Sequence, residues 1–221
     1  SFSTRARVIV HHKATVKGEL VQNYGDLALP ALKGQVCMRS GSHPYNLSLG
    51  ASLIAHEGES RTEAWARGLV ANFARPPKGG DTDQIKAVAA GECGVTISNT
   101  YYLARMMRSN KPDDQAAIKA IGIVWPNQSG RGAHINVSGA GVLKHAPHRE
   151  AAIRFLEYLA SDAAQAYFAE GNNEWPVVAS VRTTNPALAA LGAFKADPLA
   201  IGTLSKNTPV AQKVFDRAGW R

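Results

Sequence analysis

Apolar residues along this chain fall into two kinds of run. Short, nearly continuous ones alternate with longer stretches in which apolar positions recur every three or four residues. The short runs read as strands: Arg7-Val-Ile-Val10, Gln35-Val-Cys-Met38, Val95-Thr-Ile97 and Ile118 to Trp125, with Gly-rich Ile135 to Leu143 as a further extended segment. The periodic runs read as helices. Pro44 suits a first helical position, with Ser42 or His43 as cap, and Leu47, Leu49, Ala51, Leu53, Ile54 and Ala55 continue an apolar helix to about Gly58. Thr62 to Phe73 places Ala64, Trp65, Leu69 and Phe73 on one face. Asp81 and Gln84 have the spacing of a capping box for a helix through Ala90. After Val95 to Ile97, the caps Ser98, Asn99 and Thr100 open a helix carried by Leu103, Ala104, Met106 and Met107. Pro147 starts a long helix through Leu159, and Ser161-Asp162 caps another that ends at Gly171. Helical sequence broken by Pro186 and Pro198 closes the chain with Val210 to Trp220. Strands alternating with helices predict an α/β fold with a mostly parallel sheet.

The 221 residues are 45% apolar, enough for one large domain or two small ones. No apolar run reaches the roughly 18–20 residues of a membrane span. The chain opens at Ser1 without an initiator Met and enters a strand almost at once, which reads as a mature or truncated product. The formal charge of +8 is spread along the sequence and predicts a solvated basic surface. Charge alone would admit nucleic acid, but no interleaved aromatic-basic motif accompanies it. Cys37 and Cys93 each sit in a predicted strand. They are open to two arrangements: one disulfide in an oxidising compartment, or two buried thiols. Their separation excludes a Cys-x-x-Cys zinc site.

Chemistry concentrates at two turns. Tyr101 and Tyr102 fall in the first helical turn just past a strand, where open α/β sheets bind ligands. A bare Tyr-Tyr pair is more often core and loop cap than ligand. Phenols do, however, give up their protons to a hard, highly charged cation. Arg39-Ser-Gly-Ser42 lies at the second turn. Free N–H groups, small hydroxyls and a helix dipole there suit an anion, with Arg39 as a charged clamp. Tyr45 shares that turn. A trivalent cation held by Tyr45, Tyr101 and Tyr102 would face three negative oxygens, and an exogenous anion at Ser40 to Ser42 would complete its shell. Arg105, three residues after Tyr102, can share its helix face and offset charge. His43 also stands near Tyr45, though a capping or exposed imidazole fits its loop better. No Gly-x-Ser-x-Gly elbow, His-x-x-x-His pair with a flanking Glu or Walker loop marks an enzyme.

Three segments taken together resemble the bacterial periplasmic ferric-ion-binding proteins of iron ABC importers. They are Ser-x-x-Tyr-Asn-x-Ser-Leu from Ser42, Gly-Gly-Asp-Thr-Asp-Gln from Gly79, and Gly-Glu-Cys-Gly-Val-Thr-Ile-Ser-Asn-Thr-Tyr-Tyr from Gly91. Thr4 to Val10, Gly132 to Gly139, Gly171 to Pro176 and Phe215 to Trp220 extend the resemblance over nearly the whole chain. It implies a type II periplasmic-binding-protein-like α/β fold, with one lobe complete and the other partial. Residues 1–10 would be an interlobe strand, 11–130 the carboxyl-terminal lobe carrying the tyrosines, and 131–221 the returning strand and helices of a partial amino-terminal lobe. It implies Fe(III) as cargo on Tyr45, Tyr101 and Tyr102. A synergistic carbonate or phosphate would lie near Arg39, Ser40, Gly41, Ser42 and Asn99, with Arg105 behind the phenols. The expected protein is no enzyme. It is a monomeric periplasmic or cell-surface-tethered carrier that delivers ferric ion to an inner-membrane ABC permease, with no nucleic-acid partner. A binder of a small oxyanion or organic cation on the same fold, and a basic nucleic-acid-binding module, are the alternatives.

Overall fold

A computed structural model describes residues 1–221. Strand β1 runs from Ser3 to His12, longer than its four-residue apolar centre predicts. Three short 3-10 turns between Gly18 and Leu32 follow it. Helices α1 (Pro44–Glu57), α2 (Glu59–Ala71) and α3 (Asp81–Ala89) lead to strand β2 (Val95–Asn99). Helices α4 (Thr100–Met107) and α5 (Pro112–Ala120) then lead to strand β3 (Ile121–Val124). Beyond them lie β4 (Ile135–Ser138), α6 (Arg149–Leu159), α7 (Asp162–Tyr167) with a π turn over Phe168–Asn172, β5 (Trp175–Pro176), α8 (Pro186–Ala190) and α9 (Ile201–Ala218).

The expectation of a mostly parallel sheet needs correction. Strand β1 pairs antiparallel with β2, β3, β4 and β5. The alternation of strand and helix does give strands of one direction: β2 and β3 run the same way, joined through α4 and α5, and Val36 bridges in parallel to Val95 and Phe73. What alternation could not show is that the first strand of the chain inserts between β2 and β3, in the opposite sense. Gln35–Met38, expected as a strand, contributes only the Val36 bridges. The expected strand from Ile118 begins at Ile121, because Pro112, free of an N–H requirement at a helix start, opens α5 through Ala120.

Strand β1 is shared by two sheets. Ser3 to Ala6 pair with β4 and β5, whereas Arg7 to His12 pair with β2 and β3. At the changeover the Arg7 N–H donates to the His134 carbonyl at 2.9 Å. The buried Tyr24 hydroxyl donates to the Arg7 carbonyl at 2.7 Å and accepts from the His134 N–H at 3.0 Å. One phenol thus ties the two strands where they part.

Alternation along β1 sends Ile9 into one core and Val8 and Val10 into another. The first core lies among α1, α2 and α9 and includes Leu49, Leu53, Trp65, Leu69, Phe215 and Trp220. The second lies under α3, α4 and α5 and holds Ile85, Val88, Leu103 and Met106 beside Cys37 and Cys93. Those two cysteines form a disulfide, with a Cα–Cα distance of 5.8 Å, which resolves the alternatives left open by the sequence. Closing a loop of 56 residues' separation stabilises the fold by about 4 kcal/mol on chain-entropy grounds.

The carboxyl end is fixed by local chemistry. Gly219 takes the left-handed conformation at φ 79°, which lets the Trp220 N–H reach the Phe215 carbonyl at 2.9 Å. Trp220 is thereby turned inward, and its indole N–H donates to the Arg39 carbonyl at 3.0 Å.

Candidate metal centre

The two tyrosine turns meet at the rim of the sheet. Strand β2 ends at Asn99, and Tyr101 and Tyr102 occupy the first turn of α4. Pro44 is the first residue of α1, and His43 caps it, its Nδ1 accepting from the Tyr45 N–H at 3.3 Å. Burial and the Arg39 charge lower the pKa of that imidazole, which suits its role as an acceptor. The Tyr101 hydroxyl donates to the Tyr45 hydroxyl at 2.7 Å. The rings of Tyr101 and Tyr102 lie 4.3 Å apart at 34°. Three half-buried phenols from two turns therefore share one corner. Burial, and after it the adjoining hydroxyls of Tyr102 and Tyr45, push the Tyr101 phenol well above the ordinary tyrosine range, against a smaller opposing effect of Asn99. The Tyr101 proton is thus held firmly. Histidine, cysteine and carboxylate side chains form no metal-binding cluster in the chain.

Arginine surrounds this corner. The Arg39 guanidinium carbon stands 5.0 Å from the Tyr45 ring centre and that of Arg7 stands 5.9 Å away. Arg105, exposed, lies 5.9 Å from the Tyr102 ring centre, on the helix face that the three-residue spacing predicts.

Underneath is a buried charge network that the sequence reading missed. Asp81 is completely buried, and its carboxylate accepts from Arg7 at 2.7 Å and from Arg39 at 2.9 Å. It also accepts from the Asn99 N–H at 2.7 Å and the Ser98 hydroxyl at 3.4 Å. Arg7 reaches the Asn46 side-chain oxygen at 2.9 Å, and the Asn46 amide donates to the carbonyls of Arg39 at 3.2 Å and Ser40 at 2.9 Å. The capping role expected of Asp81 is taken by Asp83, which accepts from the Gly80 N–H at 2.7 Å and leaves Asp81 free to point inward. The available sequence signal was an acidic residue in a Gly-Gly-Asp-Thr-Asp turn, with two carboxylates for one cap.

The residues expected around an anion have other partners. Arg39 and Asn99 are both turned to Asp81. The Ser40 and Ser42 hydroxyls bond to each other at 2.8 Å. Gly41 has a packing reason: a Cβ there would collide with the Trp220 carbonyl and indole.

A strand shared by two sheets, with two strand-to-helix turns meeting at the sheet rim, is the architecture of a type II periplasmic binding protein. It matches a solved structure described as Trichodesmium FutA in complex with iron and citrate ligands, at TM-score 0.94 and 51% identity, covering 100% of this chain and 69% of that one. Apo FutA2 from Synechocystis matches at TM-score 0.95 and 48% identity, over 100% of this chain and 70% of that one. A family model described as bacterial extracellular solute-binding protein matches residues 2–193, and the chain belongs to that family. Iron uptake protein A1 of Synechocystis sp. is 47% identical over 220 residues, 100% of this chain and 61% of the relative. The chain thus spans about three-fifths of the length of that curated relative. No helix is long and apolar enough to cross a membrane.

Proposed function

We propose that this chain is the tyrosine-bearing part of an extracytoplasmic carrier that captures ferric ion and delivers it to an inner-membrane ABC permease. The observation that carries the reading is the meeting of Tyr45 and Tyr101, hydroxyl to hydroxyl at 2.7 Å, with the Tyr102 ring tilted against that of Tyr101. Phenolate is a hard oxygen donor suited to a small trivalent cation. Tyr45, Tyr101 and Tyr102 are the assigned ligands, and Arg105 offsets the negative charge they acquire. The names of the relatives, which speak of iron uptake and of bound iron, support the same cargo. The division into an interlobe strand, a lobe over 11–130 and a partial lobe over 131–221 belongs to this reading, supported by the sharing of β1 between two sheets. The Cys37–Cys93 disulfide favours an oxidising compartment, as the periplasm or cell surface provides. The carrier works as a monomer. The carbonate or phosphate expected from the Ser-Gly-Ser turn is left out of the reading, because Arg39 and Asn99 face Asp81 instead.

Colour tests it. Addition of ferric ion as a weak chelate is expected to produce a visible phenolate-to-iron charge-transfer band, which the double substitution Tyr101→Phe, Tyr102→Phe abolishes. A band of equal strength in that variant would defeat the assignment. Because each phenol must lose its proton, ferric affinity is expected to rise with pH, by up to about three decades per pH unit for three ligands.

A further inference from the structure

Three irregular features meet at one place away from the tyrosines, and the candidate metal centre uses none of them. Helix α7 runs on into the π turn over Phe168–Asn172, a form that occurs in short pieces and often at functional sites. Asn173, directly after it, takes the left-handed conformation at φ 57° and is buried. Asn185 is completely buried, and it caps α8 by accepting from the Ala187 N–H at 3.0 Å. Carbonyls near the end of a helix lack partners within it. Here the Ala169 carbonyl accepts from the Asn185 amide at 2.8 Å, and the Glu170 carbonyl accepts from Arg108 at 2.6 Å. The Asn173 side-chain oxygen accepts from both donors, at 2.9 Å each. A residue other than glycine keeps a positive φ where its surroundings fix it, and Arg108 and Asn185 do so here.

Arg108 is the residue that ends α4, the helix whose first turn bears Tyr101 and Tyr102. The amino end of α4 is held by directional bonds. The Asn99 N–H donates to Asp81 at 2.7 Å, and the Ala6 N–H donates to the Thr100 hydroxyl at 3.3 Å. Along its length the contacts are apolar. Leu103 and Met106 enter the core under α3 and α5, and Ala104 offers one methyl to a small third core of Ala169, Ala187, Leu188 and Leu191. Apolar contact is non-directional, so it holds the helix in place without fixing its roll. The Arg108 bonds supply that restraint at the carboxyl end. They also tie α4 to the turn that leads into β5, which pairs with Ser3 and Thr4 of β1. Arg108 lies about 10 Å along the helix from Tyr101, so movement allowed at one end reaches the phenols at the other.

We propose that Arg108 is a positioning residue of the candidate metal centre: by pinning α4 to the π turn it sets where the Tyr101 and Tyr102 hydroxyls stand relative to Tyr45. The inference rests on the ferric-capture reading for the second of its two readouts, and the first needs no metal.

In the metal-free chain, the tyrosine doublet of the ultraviolet resonance Raman spectrum reports whether phenols donate or accept hydrogen bonds. Tyr101→Phe marks the part that comes from the Tyr101–Tyr45 bond. Arg108 is exposed, so its replacement leaves the cores intact. Arg108→Ala is expected to shift the doublet in the same direction as Tyr101→Phe. Arg108→Lys, which offers several donors from one nitrogen to the same two acceptors, should restore part of the shift. Arg217→Ala removes another exposed arginine and should leave the doublet unchanged. In the second readout, Arg108→Ala is expected to weaken ferric binding by about tenfold, the lower end of what residues that orient metal ligands contribute, and to move the phenolate band. A doublet in Arg108→Ala equal to that of wild type overturns the proposal, as does wild-type ferric affinity in an Arg108→Ala chain that gives the band. An equal shift in Arg217→Ala overturns it too, because loss of any exposed arginine would then suffice. If no chain gives a ferric band, the cargo assignment falls and the doublet alone decides the role of Arg108.

Discussion

Arg7, Asp81 and Arg39 meet beneath the tyrosines, while Arg217, Glu59 and Glu63 meet on the outer surface where α9 crosses α2. The bond lengths hardly differ: 2.7 and 2.9 Å inside, 2.7 and 2.6 Å outside. The surroundings differ completely. The side chains of Arg7 and Asp81 are 2% and 0% exposed, and those of Arg217 and Glu59 are 43% and 51% exposed. Water and salt screen the outer cluster, so its charges lose little when separated. Inside, each charge has given up its hydration and depends on its neighbours for replacement. The two clusters teach that ion-pair distance does not set ion-pair energy. The inner one also clamps the Tyr45 turn, the Tyr101 turn and β1 to a single carboxylate, whereas the outer one joins only two helices.

The largest expected effect comes from deleting that carboxylate. Asp81→Ala leaves two buried guanidiniums facing each other and is expected to destabilise the chain by about 3–5 kcal/mol, read from urea midpoints. A loss below about 1 kcal/mol would mean that the inner cluster is hydrated like the outer one. A smaller effect is expected from pH. His134 is buried next to the inner cluster, where burial first and the Arg7 charge second push its pKa from 6.5 down to about 3. Its Nε2 lies 2.9 Å from the Ser48 hydroxyl, which also accepts from the Asn136 amide at 2.9 Å, so the imidazole is neutral and accepting. The unfolded chain binds a proton at this residue below about pH 6.5 and the folded chain does not until about pH 3. Its contribution is therefore complete above pH 6.5 and is lost as pH falls, by about 2 kcal/mol between pH 6.5 and 5. The urea midpoint should drop over that interval, and His134→Gln should remove that part of the slope. A wild-type midpoint that stays level would show the imidazole to be solvated. The smallest effect is expected from Arg217→Ala, which should leave the urea midpoint unchanged at about 0.15 M salt. A clear loss there would erase the contrast between the clusters.

Much of the candidate site was legible in the sequence because its parts are local. Pro44 suits a helix start through its fixed φ and missing N–H, and Tyr101 and Tyr102 follow β2 by chain connectivity alone. The spacing of Arg105 from Tyr102 is a property of any helix. The partners of Arg39 and Asp81 were not legible. Both were assigned local or external roles, as anion clamp and helix cap, because nothing in the periodicity links positions 42 residues apart. Arg7 read as the polar start of an apolar strand, and its pairing with Asp81 spans 74 residues. Gly41 looked like part of an anion loop until Trp220, at the far end of the chain, proved to lie against it.

By itself the sequence determined the starts of α1, α4 and α7, which side chains line two strand-to-helix turns, and that three phenols would stand at those turns. The tertiary structure alone decided that β1 runs antiparallel between β2 and β3, that Cys37 joins Cys93, and that an internal carboxylate meets the arginine reserved for an external anion. The reason is the range of the forces involved. Caps, turns and helix faces are fixed by dihedral preferences and hydrogen bonds within a few residues. The placing of a buried charge is fixed by what replaces its lost hydration, and here the replacement comes from segments brought together only when the chain has folded.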